Sequence, residues 1–372
     1  MNKVKLSRSR RDFLRKASLA TAGLAASISG RGSLKASGQN KDRKLGIALL
    51  GLGRYAGGQL APALQETKHC YLAGIVTGHP DKAAEWTAKY NLQKQNVYNY
   101  ENLERIADNR DIDIVYVVTP PGLHPEFVER VAKTGKHVIS EKPMATSVDG
   151  CNRMIAACKA ARVKLGLGYR VHYDPFHQEM VRLSSAKELG PFTKLTGNFS
   201  FVMPTHEWRI EQKLGGGGAM MDVGVYVIHA ACMATGLTPI SVMAREQPKL
   251  RPEFFNETEE TITWTMDFAN GAKLEASTSF NSNSNRFRAE GKNGWIDFSQ
   301  AFSYRGLASD TSRGPMKFPT INQQAAQMDD FADCVLSGRD IPVPGELGRR
   351  DMQIITAIYE STRTGKSVKV RS

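Results

Sequence analysis

Three features of this 372-residue chain predict an α/β protein in two parts, a length that lets each part bury its own core. An apolar run, Leu45 to Leu50, leads into Gly51-Leu52-Gly53-Arg54-Tyr55-Ala56 and then a helical pattern. Strand and helix patterns then alternate as far as Gly168. Beyond that point the texture becomes β-branched and alternating, with two Asn-Gly pairs set between strand-like runs. The prediction is a Rossmann dinucleotide-binding domain over residues 45–168. It is followed, over residues 169–372, by a substrate-binding and oligomerisation α+β domain on a largely antiparallel open sheet, whose C-terminal helix returns toward the first domain.

In the first part the order strand, glycine turn, helix is what phosphate cradling needs. Gly51 permits the tight turn, Gly53 lets the backbone approach a pyrophosphate, and Ala56 keeps helix and strand close, with the helix N-terminus facing the phosphates. Arg54 and Tyr55 complete this candidate nucleotide loop. The second strand, Tyr71 to Val76, ends at Thr77-Gly78-His79, where an NAD-type fold has a carboxylate for the ribose hydroxyls. No acid stands there. Thr77, Gly78 and His79, with Arg54 and Lys82, suit a 2′-phosphate, so NADP is expected rather than NAD. A helix from Asp81 to Tyr90, a strand from Ile112 to Val118, a helix from Pro125 to Thr134 and a strand from His137 to Ser140 follow, the last ending at Glu141-Lys142-Pro143.

In the second part, Asn270-Gly271 and Asn293-Gly294 predict hairpins with type I′ turns. Helices are expected from near Asp222 through Val227 to Ala234, from Gln323 to Leu336 and from Asp351 to Thr362. Asp222 and Tyr226, four apart at a helix start, point from one face toward one cleft, and Gly215 to Gly218 let the chain pass close to a ligand. The exposed sheet face is the expected subunit contact of a homodimer or homotetramer.

The formal charge of +13 is concentrated at the front, with +6 over residues 1–30 and +4 over 31–44. The remaining body is too close to neutral, and too poor in nucleic-acid motifs, for a DNA or RNA partner. Ser9-Arg10-Arg11-Asp12-Phe13-Leu14 before a weakly apolar Ala/Gly-rich stretch resembles a twin-arginine export signal, with Arg15 at the usual lysine position. Residues 31–44 are read as a flexible arm. That address implies folding in the cytoplasm, export to the periplasm and a cofactor acquired beforehand. No apolar run of about 20 residues suggests a membrane span. Cys70, Cys151, Cys158, Cys232 and Cys334 form no metal-ligand or redox spacing, so buried free thiols and no metal are expected.

GLGRYA, EKPM, GYRVHYDP, WRIEQKLGGGGAMMDVGVY and PGELGRRDMQIITAIYESTRTGK occur in that order. Together they resemble the glucose-fructose oxidoreductase / inositol dehydrogenase (Gfo/Idh/MocA) family over roughly residues 44–370, most of all its exported glucose-fructose oxidoreductase branch. The resemblance implies oxidation of an aldose at C1 with tightly bound NADP that a second sugar reoxidises. It implies that Lys142 meets the substrate hydroxyl and that Tyr226 transfers the proton, with Asp222 beside them. Thr119, Pro120, His124, Glu141, Tyr169 and Arg170 are carried over to the nicotinamide side, and Tyr173, Trp208 and Arg209 to the sugar. Pro121 stands where the family often has Asn, and His177 where the branch tends to have Asn. An ordinary dehydrogenase releasing NADPH, a redox-neutral NAD-dependent glycosidase and a non-catalytic sensor are the competing classes.

Overall fold

The computed structural model describes residues 43–371, so the export-type segment and the arm, apart from Arg43 and Lys44, lie outside the described residues. Strands β1 (Leu45–Leu50), β2 (Cys70–Val76), β3 (Val97–Tyr98), β4 (Ile114–Val117), β5 (His137–Ser140) and β6 (Leu165–Leu167) pair in parallel in the order β3-β2-β1-β4-β5-β6. All six residues of β1 are buried, as a central parallel strand covered on both faces requires. β3 and β6 have two and three residues, too short to leave a periodic signal in sequence. A helix that begins with a π-helical turn, Ala56–Leu60, and ends at Ala63 connects β1 to β2, and a 3₁₀ stretch, Leu103–Asp108, connects β3 to β4. Helices α1 (Pro80–Tyr90), α2 (His124–Lys133) and α3 (Val148–Ala161) form the other three connections. α1 starts on a proline and stops on Asn91 in the left-handed region at φ 51°. α3 is capped by Ser147, whose hydroxyl accepts from Gly150 N at 3.1 Å.

After α4 (Pro175–Ser185), a nine-stranded sheet is built from β7 (Phe192–Ser200), β8 (Pro239–Glu246), β9 (Thr261–Phe268), β10 (Lys273–Ser279), β11 (Ser284–Gly291), β12 (Gly294–Ser299), β13 (Ala308–Thr311), β14 (Gly314–Pro315) and β15 (Val368–Lys369). Its order is β14-β13-β12-β11-β7-β10-β9-β8-β15, and only β7 and β10 run parallel. Both Asn-Gly hairpins form, but neither has a type I′ turn, which needs positive φ at two successive central residues. Gly271 and Gly294 have positive φ, and Asn270 and Asn293 do not. In the first hairpin Phe268 and Ala272 close a three-residue loop, with Phe268 N donating to Ala272 O at 2.9 Å.

Helix α5 (Val225–Thr235) lies under this sheet, with nine of its residues buried. The longer helical stretch Gln212–Thr235 is apolar and long enough by composition to cross a membrane, contrary to the sequence reading. Its most apolar window is 89% buried inside the protein, which makes it the core helix of the second layer. Helix α6 (Gln323–Ser337) follows the far sheet edge in sequence yet packs Ala325, Met328, Phe331 and Ala332 into the cluster of Ile47, Leu49 and Tyr116 under the first sheet. Helix α7 (Gly345–Thr364) then joins the layers, resting on α3 and β8. All five cysteines are buried and unpaired.

Candidate active site

Two elements bring the central groups together. The carboxyl end of β5 delivers Lys142, joined to Pro143 by a cis peptide. Opposite it, a π-helical turn at Met220–Gly224 runs into α5 and delivers Asp222 and Tyr226. Lys142 Nζ donates to Asp222 O at 2.8 Å and to Asp222 Oδ1 at 3.3 Å, and stands 4.7 Å from the Tyr226 ring centroid. Asp222 Oδ2 also pairs with Arg209 Nε at 3.2 Å. The glycine run before this helix serves packing against protein, not the ligand approach expected for it. A Cβ on Gly217 would strike the Tyr359 hydroxyl, and one on Gly218 the Glu259 carbonyl. Glu259 accepts from Gly218 N and Met220 N at 2.8 Å each, and from the Tyr359 hydroxyl at 3.1 Å, clamping the turn that carries Asp222.

The charges reinforce one another. Burial opposes the Lys142 charge, but Tyr226, Asp222 and Glu141 outweigh it and hold the ammonium above its ordinary range. Burial likewise opposes ionisation of Asp222, and the cations Lys142 and Arg209 reverse this, holding its carboxyl below the usual carboxylate range. Glu141 is different. Burial pushes it up to about 7, against the opposing pull of the Tyr116 hydrogen bond and Lys142. Its Oε1 accepts from the Tyr116 hydroxyl at 2.6 Å, which in turn accepts from Gln327 Nε2 of α6 at 2.7 Å.

The Tyr226 ring is held edge-on by Phe199 and against Phe302, with the Arg170 guanidinium 5.1 Å from its centroid. Tyr304, on the loop after β12, lies over Arg170 at 4.2 Å and faces Tyr55 of the glycine turn, ring centroids 6.1 Å apart. Sequence reasoning missed Tyr304, Tyr116, Gln327 and Glu207. Tyr304 sits in an irregular loop with no pattern to flag it, whereas Tyr116 left a signal: a tyrosine inside the fully buried strand IVYV needs a hydroxyl partner.

Several residues carried over to the ligand are placed behind the site instead. His124 is fully buried, its ring nitrogens 2.7 Å from Thr119 O and 3.1 Å from Met144 O, so it ties two loops together inside the core. Burial pushes it down to about 4, which keeps it neutral. Arg170 spends its donors on Phe302 O, Ser303 O and Gln323 Oε1, beneath Tyr226. Tyr169 stacks on His229, centroids 4.0 Å apart. Tyr173 packs edge-on against His172, and its hydroxyl is pushed far above its ordinary value by burial and then by Asp330 of α6. Asp174 caps α4, accepting from Phe176 N at 3.0 Å. His177 is buried against Phe298. Trp208 stays at the rim, stacked by the Arg209 guanidinium at 4.4 Å.

The nucleotide side has the shape that a dinucleotide needs. Gly51 adopts φ 98°, and a Cβ there would press on Val118 O and Thr119 N. A Cβ on Gly53 would meet nothing within 4 Å, leaving open space at the helix N-terminus, and Thr119 Oγ1 beside this turn is buried without a partner. Gly51 N donates to Val76 O at 3.0 Å, so the end of β2 and the glycine turn are neighbours, and Lys82 Nζ from the first turn of α1 donates to Leu52 O at 3.3 Å. Gly78 abuts the Tyr100 ring, Thr77 Oγ1 accepts from His79 N at 3.2 Å, and His79 and Lys82 are exposed. Pro120 is half-buried and Pro121, buried, opens a short helical turn. Among the described residues no cluster of three or more His, Cys, Asp or Glu is arranged to hold a metal ion.

Residues 45–169 match the family model described as oxidoreductase family, NAD-binding Rossmann fold, and residues 177–297 match the GFO/IDH/MocA C-terminal domain. The chain belongs to the Gfo/Idh/MocA family and is an NAD(P)-dependent oxidoreductase of that family. An aldose-aldose oxidoreductase from Caulobacter crescentus, solved with glycerol, is 39% identical, superposes with a TM-score of 0.86 and is matched over 88% of this chain and all of its own. The D-xylose 1-dehydrogenase [NADP(+)] of Haloarcula marismortui is 25% identical over 345 residues, covering 88% of this chain and 94% of the relative. A second such enzyme, from Haloferax volcanii, is 26% identical over 334 residues, 87% of this chain and 99% of the relative.

Proposed function

We propose that this protein is an exported, NADP-dependent sugar oxidoreductase. It oxidises an aldose at C1 to the lactone, keeps its nucleotide bound and reoxidises it with a second sugar or carbonyl compound in ping-pong fashion. The observation that carries this reading is the convergence of Lys142, Asp222 and Tyr226 beside the glycine turn. When bound, NADP supplies the hydride acceptor. Lys142 stays cationic at neutral pH, so it is not the base; it stabilises negative charge on Tyr226 and that developing on the substrate oxygen. In its phenolate form, which the adjacent ammonium stabilises, Tyr226 takes the C1 hydroxyl proton and becomes the neutral phenol, and Asp222 with Arg209 fixes where the ammonium stands. Trp208 offers a face for the sugar ring.

The similarity to an aldose-aldose oxidoreductase supports two sugars as substrates, and the missing acid after β2 supports NADP. The twin-arginine pattern supports the periplasm, where no free NADP replaces a lost one. β8 exposes Ile240 and Met243 to solvent, which supports a homodimer or homotetramer through the C-terminal sheet. The decisive experiment purifies the chain without added cofactor, identifies any nucleotide released, and follows reduced-nicotinamide absorbance as glucose and then fructose are added. Retained NADP, reduced by the first sugar and bleached by the second, is the expected result. An empty protein that needs added NADP is an ordinary dehydrogenase, the class of the two xylose dehydrogenases, and retained NAD that ignores both sugars points to the glycosidase chemistry.

A further inference from the structure

Five side chains of alternating charge run in a line from the glycine turn to the acid-base pair. Arg54 donates from Nη2 to both carboxylate oxygens of Glu207 at 2.8 and 2.6 Å. Glu207 Oε2 also accepts from Arg209 Nη1 at 2.8 Å, Arg209 Nε reaches Asp222 at 3.2 Å, and Asp222 holds Lys142 at 3.3 Å. Four of the five belong to the nucleotide turn or the catalytic group. Glu207, on the segment that leaves β7, is the member that joins them across the cleft.

The Arg54 side chain is 75% exposed, and a surface ion pair of this kind adds little to stability. Its effect is on the guanidinium itself. Arginine carries five N–H donors in a rigid planar fork, and Glu207 occupies Nη2 alone, leaving Nε and Nη1 without an acceptor among the described residues. A free arginine loses its rotamer freedom when a ligand binds, whereas one already held by a carboxylate has lost it beforehand. Arg54 projects from the glycine turn, which the Gly51 N to Val76 O hydrogen bond of 3.0 Å and Lys82 of the first turn of α1 hold against the end of β2, where this fold places the adenosine ribose.

We propose that Glu207 is a positioning residue for cofactor discrimination: it holds Arg54 so that the unoccupied edge of the guanidinium receives the phosphate on the adenosine ribose of NADP. The inference rests on the NADP reading above. Glu207→Gln keeps the shape and removes the charge that orients Arg54. Titrating nucleotide-stripped full-length protein with NADPH and NADH, followed by nicotinamide fluorescence, is expected to show a five- to tenfold weaker Kd for NADPH and less than a twofold change for NADH. Glu207→Asp, which keeps the charge, restores part of the discrimination, and adding Glu207→Gln to Arg54→Ala costs no further NADPH affinity. Equal weakening of both nucleotides, no change in either, or additive losses in the double variant overturns the proposal while leaving the NADP reading intact. A parent protein that binds NADH as well as NADPH, or neither, overturns both.

Discussion

Replacing Asp222 with Asn tests the electrostatic core of the site. At 3.3 Å and an effective dielectric of about 20, the Lys142–Asp222 attraction has a ceiling of about 5 kcal/mol, or roughly 3–4 pK units at about 1.4 kcal/mol each. The ammonium keeps the Asp222 main-chain carbonyl at 2.8 Å and the charge of Glu141, so the expected fall in the Lys142 pKa is roughly 1–2 units. Arg209 keeps Glu207 at 2.8 Å, so the variant folds. Because the cation is the active form, kcat/KM should begin to decline on the alkaline side at a correspondingly lower pH than in the parent. The assay is a pH profile of kcat/KM with the same aldose for both proteins. An alkaline limb that stays where it was, at any reduced rate, would show that the Asp222 carboxylate does not hold the Lys142 charge.

Three further expectations follow from the geometry. Tyr226→Phe should lower turnover by roughly 10²- to 10⁴-fold while nucleotide stays bound, and turnover equal to the parent's would remove Tyr226 from proton transfer. Gly53→Ala adds a methyl that meets no protein atom, so thermal unfolding should be unchanged while nucleotide affinity falls at least tenfold; unaltered affinity would place the pyrophosphate elsewhere. Glu141, pushed from 4.5 to about 7 when folded, keeps a proton that the unfolded chain has released, so its contribution to stability is greatest below about 4.5 and declines as pH rises toward 7. The span is at most about 3 kcal/mol. Glu141→Gln should flatten that part of the profile measured by urea unfolding, and an unchanged slope between pH 5 and 8 would deny the shift.

The first sheet was legible because its long strands are continuous apolar runs and its glycine turn has a specific steric cause at Gly51 and Gly53. Lys142, Asp222 and Tyr226 were legible as motif residues, and the geometry then brought them together. Residues next to them in sequence were harder to place. Tyr169, Arg170 and Tyr173 sit within one short motif, yet its 3₁₀ turn directs their side chains to different partners, none of which is Lys142. The Asn-Gly turns misled for a related reason: each loop satisfies its hydrogen bonds with only the glycine at positive φ. Glu207 and Tyr304 act across long sequence separations from irregular segments, and local pattern carries no trace of such meetings.

The path of α6 has a consequence for how this molecule can be divided. Residues 45–168 contain every strand of the first sheet, but Phe331 and Met328, which seal one of its faces, arrive more than 150 residues later. A Cβ on Gly166 of β6 would press on the Phe331 ring, so strand and helix fit each other closely. A fragment ending at β6 would present that face to water, and no single cut in the chain separates the layers into two self-sufficient pieces. Recombination that trades the second sheet for another must therefore carry α6 along or rebuild its underside, a constraint that binds the evolution of new substrate pockets to the upkeep of the old nucleotide scaffold.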